Sequence, residues 1–259
     1  MLSLSFLRTH ARLLGFGVLM TFCSSVGQTF FISLFSGEIR AAFALSDGEF
    51  GSLYSLGTLA SATLLLGAGR LIDRVPLQLF AAAVLVLLAT VCLLMGLAGN
   101  ALVLVVALFG LRFFGQGLAS HSAIVAMGRY FEATRGRAVS IATLGHTLGE
   151  AVLPSIAVAA LALAGWRQVW SGAAVILIAL VVNLFFFQSA GMQLVLSIIV
   201  PVVFAGLTAF ETQMIKNFYY EGDSAEVATR KSIFGAYMLY GSFVTMFIWL
   251  MQLFGVARD

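Results

Sequence analysis

The sequence predicts an all-α fold: a polytopic helical membrane protein with about eight transmembrane helices. Three observations lead there. Of 259 residues, 61% are apolar and 10% are charged, against roughly 45–50% and 25% in soluble domains. A soluble fold of this length has too little interior to hide that much apolar surface. The charges are also clustered. Leu13–Gly37, Phe50–Gly69, Val75–Leu111, Gln168–Phe210 and Ser232–Ala257 contain no Asp, Glu, Lys or Arg. A helix needs about 20 apolar residues to cross about 30 Å of hydrocarbon, and two of these stretches can each hold a helical hairpin. Finally, runs such as Ala81–Leu88 do not alternate, so the dyad pattern of a membrane β-barrel is missing.

The eight spans fall at roughly 13–35, 49–69, 77–97, 101–128, 137–164, 168–188, 192–213 and 231–255. Pro76 opens the third, where a missing N–H costs little. Gly99-Asn100 ends the third and starts the fourth, and Gln188–Gly191 separates the sixth from the seventh. The first apolar segment is too long for the core of a signal peptide and is expected to be retained. Cys23 and Cys92 sit inside spans, as small apolar residues do.

Loop charges set the orientation. Arg8 and Arg12 precede the first span, Arg70 and Arg74 lie between the second and third, and Arg129, Arg135 and Arg137 between the fourth and fifth. The opposite side of the first six spans has Arg40 and Arg167. The N-terminus is expected to be cytoplasmic. Lys216, Arg230 and Lys231 fall on the other side by helix parity, so the tail conflicts with the rest. The same basic residues read as topology and not as nucleic-acid binding.

Residues from about 10 to 182 resemble the N-terminal six-helix half of a major facilitator superfamily transporter. Gly69-Arg70-Leu71-Ile72-Asp73-Arg74 matches the family's G-x-L-x-D-R loop signature, and then departs from it at Val75-Pro76-Leu77-Gln78. Gly69 suits a sharp reversal, Asp73 can cap the third span, and Arg74 with Arg70 marks the cytoplasmic side. Arg112-Phe113-Phe114-Gly115-Gln116-Gly117 looks like the family's intramembrane arginine motif, with Gln and Gly displaced by one position. Gly145-x-x-x-Gly149-Glu150-x-x-x-Pro154 looks like a variant of its glycine-proline motif, and the two glycines allow close helix contact.

From about Asn183 the chain changes character, beginning with Asn183-Leu184-Phe185-Phe186-Phe187. Phe204–Lys216, reading FAGLTAFETQMIK, resembles the G-L-T-A-Y-D-T-Q-x-I-K segment of the Bax inhibitor family of membrane proteins. The resemblance implies calcium leak or stress regulation through two buried aspartates. Here Glu211 replaces the first, and Ser242 stands at the second. The domains expected are a facilitator-like six-helix half, 1–182, and Bax-inhibitor-like C-terminal helices, 183–259. The join lies inside the sixth span, so the chain reads as a chimera.

Charges at membrane depth are costly and face a cavity or a partner. Arg112 lies about 17 residues from Arg129, roughly 25 Å along a helix, and Glu150 about 13 residues from Arg137, roughly 20 Å. Gln116 is one turn from Arg112, and His146 one turn from Glu150. Arg112, Gln116, His146, Glu150 and Gln28 are therefore candidates for a transport cavity or proton relay. An Arg112–Glu150 pair that only pins two spans together is the alternative. Ser24, Ser25, Gln28 and Thr29 line a cavity or make packing hydrogen bonds. Glu211 is a solvated acid or an ion ligand in the tail.

No metal-ligand spacing and no Walker phosphate loop occurs, so neither an enzyme, a cofactor nor ATP-driven transport is expected. The leading functional expectation is secondary transport of a small solute in a bacterial inner membrane, coupled to protons or not. A homodimer or a separate partner would complete the cavity. The alternatives are an ion leak through the tail helices, or a fusion without activity of its own.

Overall fold

The structure is a computed structural model, and it describes residues 4–186, 212–213, 215–216 and 224–256. It is helical throughout, with no strand among the described residues. It divides into two compact units, residues 1–182 and 183–259.

In the first unit a short α1 (Leu4–Thr9) precedes α2 (Ala11–Ser24). A 3-10 turn, Ser25–Gly27, and an extended Gln28 separate α2 from α3 (Thr29–Ser33). Then come α4 (Ser36–Phe43), α5 (Asp47–Ala68) and a 3-10 turn at Gly69–Asp73. Next are α6 (Leu77–Gly96) and α7 (Ala101–Gly110), which continues through a π-helical stretch, Leu111–Ala119, into α8 (Ser120–Tyr130). α9 (Arg135–Ala164) and α10 (Trp166–Phe186) complete the series. Among the described residues five segments are long and apolar enough to cross a membrane: Ala11–Ser33, Asp47–Asp73, Leu77–Gly96, Ala101–Tyr130 and Glu132–Ala164. These are the first five expected spans, and α10 is the sixth; the boundary between the units falls inside it.

The ends of these helices follow from local chemistry. Ala44 takes a left-handed conformation, φ 52°, and closes α4 through the Leu45 N–H to the Arg40 carbonyl. Two residues on, Ser46 and Glu49 form a capping box that starts α5: Glu49 N–H donates to Ser46 Oγ, and Ser46 N–H to Glu49 Oε2 at 2.8 Å. Arg40 and Asp47 pair across this turn. Asn100 Oδ1 caps α7 by accepting from Val103 N–H. Asp73 does not cap α6, as the sequence suggested it could. Pro76 occupies that position with no side-chain cap, and Asp73 turns elsewhere.

α6 is the most deeply enclosed helix of the core, with Ala81, Leu85, Leu88, Ala89, Cys92 and Met95 at most 1% exposed. Phe31, Phe35 and Trp170 seal one end of the unit, with ring centroids 5.1–5.4 Å apart. Arg167 donates to the Gly96 and Ala98 carbonyls at 3.2 and 2.6 Å, closing the C-terminal end of α6. Small residues set the helix spacing, since apolar lipid gives no hydrophobic drive to helix association. A methyl on Gly145 would strike Val18, Thr21 and Phe22, and one on Gly149 would strike Ser25. Thr21 Oγ1 also donates to the Ala142 carbonyl at 2.5 Å.

Two departures from continuous helices meet each other. The first and fourth spans were expected to be unbroken. Instead the break after Ser24 and the π stretch Leu111–Ala119 lie in direct contact. A Cβ on Gly27 would meet the Leu111 carbonyl, Gln116 N and Gly115 Cα, and one on Gly115 would meet Gly27 Cα at 2.7 Å. Both spans depart from the regular helix so that backbone touches backbone.

In the second unit α11 (Ala225–Val256) corresponds to the eighth expected span. Ser224 Oγ accepts from Val227 N–H, and Glu226 pairs with Arg230 one turn on at 2.6 Å. Gly235 lets the Ile215 side chain approach; a Cβ there would be 3.1 Å from it. The seventh expected span lies almost entirely outside the described residues, and Glu211 lies outside them too.

Gly27→Ala should lower stability by about 1–3 kcal/mol, the usual cost of overpacking a tight contact. Gly15→Ala, with open space around its Cβ, should change it by no more than about 0.5 kcal/mol. Thermal unfolding of both variants in detergent measures the difference.

Candidate functional site

The break in the first span frees backbone groups at membrane depth, where they must be buried or line a cavity. One of them, the Gly27 carbonyl, accepts from Arg112 Nη1 at 3.4 Å, and the same nitrogen donates to Thr29 Oγ1 at 3.1 Å. The guanidinium carbon stands 5.5 Å from the centre of the Tyr54 ring, and Tyr54 OH and Thr29 Oγ1 share a hydrogen bond of 2.8 Å. Arg112 thus ties the fourth span to the first and second. It is half-buried, and no ion pair satisfies its charge among the described residues.

Several buried polar atoms of the second and fourth spans have no partner. Arg112 Nε, Gln116 Oε1, Thr58 Oγ1 and Ser120 Oγ are buried without a hydrogen bond. Gln28 is half-buried in the extended link, with its main chain bonded to Ser25 and Ile32. Gln28 adjoins Gly27, whose carbonyl accepts from Arg112 and whose Cα packs against Gly115, the neighbour of Gln116.

Glu150 does not join them. Depth is matched: Gly149 lies against Ser25 and Gly115 against Gly27, two residues along the first span. But the first span occupies the contact faces of both neighbours at this level. Glu150 is exposed and makes no ion pair with Arg112. The pair expected from depth alone is absent because Arg112 finds acceptors on α3 and the break, while the glycine face of α9 turns Glu150 to an adjacent stripe. His146 shares that stripe. Its Nδ1 lies 3.2 Å from Ser24 Oγ, whose own proton goes to the Thr21 carbonyl at 2.7 Å. Nδ1 is therefore the donor in this bond, which leaves Nε2 a lone pair in the neutral ring.

The signature loop forms a separate cluster. His121 Nε2 donates to the Gly69 carbonyl at 3.1 Å, and Arg129 Nη2 donates to Asp73 Oδ1 at 2.6 Å. These two bonds hold the Gly69–Asp73 turn against α8. Arg74 is exposed. Asp73 and Arg129 are 64% and 43% exposed, so this pair contributes about 1 kcal/mol or less.

Sequence reasoning missed Tyr54 and Thr58. Their i, i+4 spacing in a charge-free span was a signal, but polar residues at that spacing are common in helix packing.

A family model described as Major Facilitator Superfamily matches residues 17–257. The match runs through the tail as well as the first unit. Curated relatives align over shorter lengths. An uncharacterized protein of Deinococcus radiodurans is 44% identical over 84 residues, covering 32% of this chain and 36% of that protein. Uncharacterized protein RP147 of Rickettsia prowazekii is 42% identical over 84 residues, 32% of this chain and 35% of its own length. Inner membrane protein YbhL of Escherichia coli is 35% identical over 85 residues, 32% and 36% of the two chains. The chain spans about a third of the length of these relatives. No solved structure matches it.

A double-mutant cycle reports the partner of Arg112. Arg112→Ala and Glu150→Ala should add within about 0.5 kcal/mol, whereas Arg112→Ala and Thr29→Ala, which remove one contact, should couple by about 0.5–3 kcal/mol. Unfolding of the single and double variants in detergent gives both values.

Proposed function

The chain belongs to the Major Facilitator Superfamily, a family of membrane transporters, and from that premise we propose that it carries a small solute by secondary transport through the polar face around Gly27. The observation that carries this reading is Arg112: a half-buried guanidinium within a span, held by a backbone carbonyl that only a broken helix can offer. Secondary transporters place their sites near the midplane at discontinuous helices. π-helical stretches likewise concentrate at functional sites.

In this reading Arg112, Gln116 and Gln28 line the cavity. His146 and Glu150 lie one turn apart on α9 and carry a proton, which would couple transport to the proton gradient. Glu150 also bears on assembly. It is exposed within the fifth span, and a charged side chain facing lipid costs about 2.5–3.5 kcal/mol even on the mild insertion scales. A second copy, or a separate partner, is proposed to cover this face. In this reading the N-terminus is cytoplasmic, as the loop charges favour, and a bacterial inner membrane is the proposed location.

A second reading concerns the tail. Phe204–Lys216 carries the Bax-inhibitor-like text, and the unit beginning at Asn183 is compact by itself. The proposal is that residues 183–259 have a separate origin and conduct an ion such as calcium through Glu211.

Flux into proteoliposomes separates the readings. Solute-driven proton movement that falls at least ten-fold in Arg112→Ala and in Glu150→Gln is expected for the first. Calcium flux that is insensitive to Arg112→Ala and lost in Glu211→Gln is expected for the second. Silence in all assays would indicate a fusion without activity of its own. For assembly, Glu150→Cys in a background lacking Cys23 and Cys92 should cross-link two copies. Monomeric protein with this thiol open to lipid would end the dimer proposal.

A further inference from the structure

We propose that Arg112, Gln116 and Thr58 recognise a small organic monoanion: a carboxylate bearing a second, hydrogen-bonding group such as a hydroxyl. The proposal rests on the transport reading of this face and gives its substrate class. It begins from which edge of the guanidinium is used. Nη1 serves the Gly27 carbonyl and Thr29. Nε is buried with no partner, and no bond is made by Nη2 among the described residues. The free edge is therefore the Nε–Nη2 side, which presents two parallel N–H groups at the spacing of a carboxylate's oxygens.

The edge is fixed in place. Tyr54 lies under the guanidinium, and the Tyr54–Thr29 bond holds both supports together. Thr58 lies one turn from Tyr54 on the same face of α5. α5 and the fourth span run side by side in matching register: Gly57 is set against Phe109, Leu65 against Gly117, and Gly69 against His121. That register puts Thr58 level with Gly110, beside the root of Arg112. Gln116 lies one turn on from Arg112. Thr58 Oγ1 and Gln116 Oε1 are both buried and unpartnered; in this proposal Thr58, the nearer to the carboxylate by register, meets a hydroxyl on the carbon next to it, and Gln116 stands one turn beyond Arg112.

Charge restricts the ligand further. Between Arg74 and Arg129, Arg112 is the one Lys or Arg in the sequence, and none occurs from Leu13 to Gly37 or from Phe50 to Gly69. The site thus offers one positive charge with no acid paired to it. A monoanion neutralises it. A phosphate dianion or a dicarboxylate would leave a second negative charge without a cation at membrane depth.

The test is binding to the purified full-length chain in nanodiscs at neutral pH, read by ligand-induced rise in unfolding temperature and by calorimetry. The probes are lactate, propionate, which lacks the hydroxyl, and lactamide, which lacks the charge. Lactate should bind at least ten-fold tighter than propionate, and lactamide should not register. Arg112→Lys keeps the charge but loses the planar fork, and should weaken lactate at least ten-fold. Thr58→Val, a change of similar shape, should bring lactate down to the level of propionate, and Gly15→Ala should bind as the parent does. Equal response to lactamide, or unchanged lactate affinity in both Arg112→Lys and Thr58→Val, overturns the proposal. Failure here can be told from failure of the transport reading. Lactate binding without flux preserves the site and removes transport, while flux of another solute with lactate silent does the reverse.

Discussion

The contact between Gly27 and Gly115 is the constraint around which the first unit is arranged. Two helices approach until backbone meets backbone, and neither can remain a regular α-helix there. The first span breaks into a 3-10 turn and an extended residue, and the fourth widens into a π stretch. Each distortion frees hydrogen-bonding groups that a membrane interior cannot satisfy with water. Arg112 answers one of them by donating to the Gly27 carbonyl. A polar face thereby arises from a packing requirement: where side chains vanish, carbonyls become available, and a charge can be held within a span.

Around this point the other contacts are subordinate. Gly145 and Gly149 bring the fifth span against the first on the side away from Arg112, with Thr21 bonding to Ala142 across the seam. That same closeness denies Glu150 a route to Arg112. The acid and the base sit at similar depth, and each ends in a different environment: Arg112 half-buried among acceptors, Glu150 exposed. An exposed acid in a span invites a partner, a proton or water. At the other end of the fourth span, His121 and Arg129 clamp the Gly69–Asp73 turn. The span is thus fixed at both ends of its π stretch.

Much of the site was legible in order but not in pairing. Gln28, Arg112 and Gln116 were singled out because polar residues interrupt otherwise apolar stretches; Arg112 reaches the Gly27 carbonyl beside Gln28, while Gln116 Oε1 is buried without a partner. Asp73 was read as a helix cap and is instead the partner of Arg129, because an exposed arginine from a distant span competes successfully with a weak dipole interaction. Glu150 was read as the partner of Arg112 because rise per residue gives depth alone. The direction in which a side chain leaves its helix depends on which face packs, and here two glycines decided that.

The sequence by itself determined the helical class, the number and approximate limits of the spans in the first unit, and the small-residue stripe on the fifth. These depend on apolar run length, charge placement and turn residues, all local quantities that hydrocarbon thickness converts directly into structure. Only the tertiary structure decided that the first span breaks, that the fourth widens, and that Arg112 bonds to Gly27 and Thr29. Those outcomes require residues more than 80 positions apart to touch. Nothing in a run of apolar residues marks which glycine will press against another, so the break is decided where the two helices meet.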